Sequence, residues 1–173
     1  MKVSALQCEN EFWQFSLAVY GAPGVEAECL ALQEALRIDV NLLLFCAWLG
    51  AARRIALTES DVDRARLLVQ PWHEHVIRPL RAVRQQLKAF SGDEFEAFRT
   101  RVKTLELDAE QVEQAMLFTH AMKVWPQTPD CDAREIMPAN VRIFLQSQPN
   151  VRLRRDDAFS TPCLIEAAIK IAG

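Results

Sequence analysis

No apolar run in this sequence is long enough to cross a membrane. Its most apolar stretch, Val40 to Leu49, is interrupted only by Asn41, and as a helix it spans about 16 Å, half of the ~30 Å that a bilayer core requires. No secretory leader is expected either. Lys2 is followed by only Val3 to Leu6 before polar Gln7, too short an apolar core for a signal peptide, and the same shortness argues against a lipoprotein signal at Ala5-Leu6-Gln7-Cys8. The five cysteines (Cys8, Cys29, Cys46, Cys131, Cys163) are odd in number, with no C-x-x-C pair and no regular spacing. That excludes a disulfide framework and points to a reduced, cytoplasmic setting. Excess charge is absent too: the net charge is -3 and the pI about 5.7, below the basic range of nucleic-acid domains. No internal repeat, low-complexity tract, alternating strand pattern or assembled catalytic motif occurs, so no catalytic residue is assigned.

What is present is an ordinary globular balance, 50% hydrophobic and 25% charged in 173 residues, enough for one domain with its own core. The segment Val40 to Leu49 leaves no helical face for water, so it is expected as a central helix, about 40–50, enclosed by others. Asp39 is its expected N-cap, and Arg53-Arg54 are expected in its last turn. Before it, Phe12, Trp13, Ser16, Leu17 and Tyr20 fall at helical spacing, and Val25, Cys29, Leu32 and Leu36 make a second stripe. After it, Thr58 and Asp61 stand at capping-box spacing. The helix they open is expected to break near Gln70-Pro71 and to kink before Pro79. Ser91 and Glu94 suggest another capping box, with an apolar stripe at Phe95, Phe98, Val102 and Leu105 and a new helix from Ala109 to about Trp125. An irregular connection is expected over about 126–138, then a short helix from Asn140 to Gln146, a polar stretch to Asp157, and a final helix opened by Pro162. The fold class is all-α, a single-domain bundle of about seven or eight helices.

Three motifs add a resemblance. FWQFSLAVYGAPGV (Phe12 to Val25), CLALQ (Cys29 to Gln33) and DVNLLLFCAWL (Asp39 to Leu49) resemble an uncharacterised proteobacterial family of small conserved hypothetical proteins with a domain of unknown function. The resemblance covers about the first 50 residues. It implies a bacterial cytosolic protein and carries over no site residue.

Four groups of residues could carry chemistry. Asp39 and Asn41 are polar at the mouth of the most apolar helix; they either cap it or line a pocket between helices, with Glu28, Gln33 or Arg37 from the helix before. His73 and His75, in Trp72-His73-Glu74-His75, lie about 200° apart on a helix and cannot chelate one ion from it. This is also not the H-E-x-x-H spacing, and a further ligand such as His120 or Asp130 would be needed, so no metal and no cofactor is expected. Cys131 lies between Asp130 and Asp132, which raise a thiol's pKa and make it a poor nucleophile. Arg78, Arg81, Arg84 and Lys88 step along one ridge inside a basic segment, residues 51–88 at +4, between acidic segments 1–50 and 89–113 at -4 each.

The reading this favours is a protein-interaction or regulatory module, with the ridge meeting a protein partner or a homodimer. The alternative is an enzyme or small-ligand binder with a pocket near Asp39, Asn41, His73 and His75. Nucleic-acid binding through the ridge comes third, since no recognition motif accompanies it, and pairing of the ridge with the acidic Glu106 to Glu113 stretch would satisfy it internally.

Overall fold

The computed structural model describes residues 5–130, 132–148 and 161–173; Cys131 and the polar stretch from 149 to 157 lie outside them. The helix everything else packs on is the apolar one. It runs Val40–Ala51 (α3 in chain order), and every residue from Asn41 to Ala51 is buried. Two helices precede it, α1 (Glu11–Tyr20) and α2 (Val25–Leu36), and five follow: α4 (Glu59–Trp72), α5 (Arg78–Gln86), α6 (Asp93–Val124), α7 (Ala133–Gln146) and α8 (Pro162–Ala172). There is no strand among the described residues. The protein is an all-α helical bundle.

Helix α3 is packed by α7, α8, α1 and α6. Its closest neighbour is α7: a Cβ on Gly50 would lie 2.5 Å from the Met137 Cα, so a glycine lets the two backbones touch. Asn140 fastens the same pair, donating from Nδ2 to the Cys46 and Ile55 carbonyls at 3.2 and 2.8 Å and accepting from the Leu57 N–H at 2.9 Å. On the other side Phe12 of α1 stacks against Phe45 and Trp48, with ring centroids 5.6 and 5.1 Å away. The buried face of α1 is Phe12, Trp13, Phe15, Ser16 and Val19, so the aromatic cluster belongs to the core while Leu17 is half exposed.

Several boundaries differ from the sequence reading. Helix α3 ends at Ala51, and Arg53 instead reaches Trp125, donating to its carbonyl at 3.1 Å. Helix α6 is one unbroken rod of 32 residues: with neither glycine nor proline between Phe95 and Trp125, nothing stops it at Leu107-Asp108. Its N-cap is Gly92, at φ 128 and without a side-chain cap, so Glu94 falls one position short of the capping-box site and the Ser91 box does not form. Helix α7 begins at Ala133, capped by Asp132, and carries Pro138 inside it.

Pro71 and Pro79 leave a visible mark. Pro71 lies within α4, and the chain continues through His73–Ile77 as a π-helical segment, closed by the Arg78 N–H donating to the His73 carbonyl, directly into α5. The rod neither breaks at Gln70-Pro71 nor restarts. Instead it widens to a π-helical turn between the prolines, a distortion frequent at functional sites. Trp72 pins it to α6, its indole N–H donating to the Ala109 carbonyl at 2.9 Å.

Candidate functional site

Asp39 caps α3 as expected, its Oδ1 accepting from the Asn41 N–H at 2.9 Å. Its Oδ2 is the oxygen that meets His73. His73, presented by the start of the π-helical segment, places Nδ1 3.2 Å from Asp39 Oδ2 and also 3.2 Å from Oε1 of Glu113, on α6. Asn41 ties the two carboxylates together: its Nδ2 donates to Glu113 Oε2 at 2.6 Å, while its Oδ1 accepts from Gln114 at 2.8 Å. Three helical segments, distant in the chain, thus meet at one imidazole.

The burial is graded. The Glu113 side chain is 0% exposed, Asp39 12% and His73 16%, so the cluster is closed on the α6 side and open on the other. It opens into a cleft of about 1250 Å³, lined by Asp39 and His73 at its floor and by Gln33, Arg37, Arg66 and Arg78 among others on its walls. Burial, then the charge of Glu113, push the Asp39 carboxyl up to about 6. Burial by itself would lower the His73 pKa, but the hydrogen bond to Glu113 and the charges of Asp39 and Glu113 outweigh it, so His73 is held above its ordinary value. An imidazole held between two acids can exchange a proton with a bound molecule, and three donor atoms within 4.8 Å of one another can hold a cation.

His75 is exposed and does not line the cleft, as the helical offset from His73 requires. Glu28 serves elsewhere: its carboxylate accepts from the Cys163 and Leu164 N–H groups at the start of α8, at 2.9 and 3.0 Å. His120 stands edge-on to Trp125, and Asp130 lies 3.7 Å from Arg54. The basic ridge is largely turned inward. Arg81 donates to Glu106 at 2.8 Å and Glu110 at 2.7 Å, and Arg84 pairs with Glu106. Arg78 and Lys88 stay exposed.

Sequence reading passed over Glu113 as part of an acidic stretch. The signal was there in the spacing. Ala109, Glu113, Leu117 and Ala121 recur every fourth residue and are all buried, which sets Glu113 on the core-facing row.

The family described as "Protein of unknown function (DUF2390)" matches residues 11–117. The chain belongs to the DUF2390 family. The DUF2390 span contains Asp39, Asn41, His73, Glu113 and Gln114, so the whole cluster lies within the part that defines the family. Helices α7 and α8 lie beyond the DUF2390 match. No curated protein and no solved structure matches the chain.

Proposed function

We propose that this protein binds a small acidic molecule in the cleft above His73. The observation that carries the reading is the convergence of Asp39, His73 and Glu113, from three separate elements, with Asp39 and His73 lining a cleft of about 1250 Å³ and Glu113 buried behind them. Convergent polar groups with shifted pKa values at the base of a concavity mark binding sites. An acidic ligand is favoured by the walls: Arg37 and Arg78 form no salt bridge with any described residue and line the cleft. The ligand's acid group meets these two guanidiniums while its other end reaches the imidazole. Free cysteines at Cys8, Cys29, Cys46 and Cys163 support a reducing, cytoplasmic setting. Packing of α7 on α3 and of α8 on α1 and α3 supports a single domain extending past the family match.

Thermal shift with a panel of small carboxylic acids and phosphate esters tests this reading. A true ligand at about a hundredfold over its Kd raises the melting midpoint by roughly 5–10 °C, and Arg37→Ala with Arg78→Ala removes the rise. A flat panel, or a rise unchanged in the double variant, refutes it.

A second reading, the interaction module, is favoured by the tip of the α5–α6 arm. There Phe90, Phe95 and Phe98 are 51%, 44% and 50% exposed, and clustered exposed aromatics suit partner binding. A partner would meet these rings with Arg78 and Lys88, because Arg81 and Arg84 are engaged. Light scattering of the wild type beside Phe95→Asp with Phe98→Asp tests self-association: a monomer in both cases removes the homodimer form of this reading.

A further inference from the structure

We propose that Asp39, His73 and Glu113 are the ligands of a divalent transition-metal ion whose remaining coordination positions face the cleft. The inference goes beyond the cleft reading, since an ion on these atoms needs no organic ligand.

The first argument is the spacing of the donors. Metal–nitrogen and metal–oxygen bonds of about 2.1 Å separate neighbouring ligand atoms by about 3.0 Å at octahedral angles and about 3.4 Å at tetrahedral ones. The His73 Nδ1 lies 3.2 Å from Asp39 Oδ2 and 3.2 Å from Glu113 Oε1. Both edges fall within that window.

The second argument is charge. A single ring nitrogen carries at most one hydrogen, and of the two carboxylates only Glu113 stands in hydrogen-bond geometry to it. Asp39 Oδ2, at equal distance, is left with a second carboxylate as its neighbour. One imidazolium cannot balance two carboxylates that are 12% and 0% exposed, whereas a dication at the shared centre balances both and releases the proton.

The third is the support behind the donors. Each carboxylate uses one oxygen toward His73 and has the other fixed by Asn41, whose backbone N–H holds Asp39 Oδ1 and whose side chain holds Glu113 Oε2. Gln114 in turn orients the Asn41 amide. Metal sites are built this way, with the outer oxygen of each ligating carboxylate immobilised by a neighbouring donor.

The donor set narrows the ion. One imidazole with two carboxylates suits Mn²⁺, Fe²⁺ or Zn²⁺ better than the all-oxygen preference of Ca²⁺. Three protein ligands leave at least one position for water or for an oxygen of a bound acid, the arrangement of a reactive rather than a purely structural site. Those positions open where Asp39 and His73 line the cleft.

The experiment uses the full chain, stripped with a chelator and titrated separately with Mn²⁺, Fe²⁺ (anaerobically) and Zn²⁺, with no organic ligand present. Expected is one ion per chain at micromolar or tighter Kd for at least one metal. Asp39→Asn and His73→Gln each weaken it at least a hundredfold, and His75→Ala leaves it unchanged. Asparagine is itself a good N-cap, so Asp39→Asn keeps α3 and separates lost ligation from lost folding, with circular dichroism as the check. No saturable binding of any of the three ions, or equal affinity in Asp39→Asn and the wild type, overturns the proposal. So does loss of binding on His75→Ala. Failure of the acid panel with intact metal binding would instead count only against the cleft reading.

Discussion

Asn140 shows what one buried amide does here. It pairs with the Ile55 carbonyl and Leu57 N–H of the turn after α3 and adds a bond to the Cys46 carbonyl within α3, and an unpaired buried group costs roughly 1–3 kcal/mol. Asn140→Ala is expected to lower unfolding stability by about 3 kcal/mol in urea titrations; a loss below about 1 kcal/mol would mean that water replaces the amide. Gly50→Ala is expected to lower the melting midpoint as well, because the added carbon has backbone rather than a mobile side chain 2.5 Å away, and overpacking costs about 1–3 kcal/mol. An unchanged midpoint would show that α3 and α7 separate without strain. At this scale the sequence was informative where a residue contradicted its surroundings. Asp39 and Asn41 stood out as polar groups bordering an apolar helix, and His73 stood beside a proline. Glu113 did not stand out, since a glutamate among glutamates on a long helix looks solvated unless its face is known.

Elements were legible to the extent that local chemistry decides them. The central helix, the Asp39 and Thr58 caps and the Pro162 start follow from neighbours within four residues, and each is present or, for Pro162, placed at the first turn. The π-helical segment was not legible: two prolines eight residues apart mark trouble in a helix, but packing of Trp72 on α6 decides whether it breaks or widens. The capping of α8 is likewise tertiary. Its own Thr161 makes no side-chain cap, and Glu28 supplies the acceptors from α2. Glu28→Ala is therefore expected to speed hydrogen exchange at the Cys163 and Leu164 amides and to cost about 1 kcal/mol, the usual worth of a cap. Unaltered exchange at those two amides would dissociate Glu28 from the helix start.

For the whole molecule, stability is unevenly spread. Helix α3 has no solvent-facing residue beyond Val40, while residues 88–98 are all exposed. Native-state exchange is expected to be slowest in α3 and α7 and fastest between 88 and 98; the reverse order would contradict the packing. The two helices of the arm, α5 and α6, are held to each other by the Arg81, Arg84, Glu106 and Glu110 network. Burial pushes the Glu106 carboxyl up, but the hydrogen bonds from Arg84 and Arg81 outweigh it and hold the carboxyl below its ordinary 4.5. A depressed pKa stabilises the fold above the unfolded value and loses that contribution as pH falls through the folded one. Glu106→Gln is thus expected to be less stable than wild type at pH 7, with the difference shrinking as pH drops below about 4.5. Parallel pH profiles of the two proteins would sink that assignment.

Asp39 belongs at once to the cleft and to the first turn of the helix on which the bundle is assembled. Binding of the proposed ligand or ion at His73 is therefore expected to stabilise the whole fold, with loaded chains outlasting empty ones under heat or protease. At a hundredfold excess over Kd the gain is about 2.7 kcal/mol, enough to shift the unfolded population about a hundredfold. Abundance in the cell then becomes a readout of what the cleft contains.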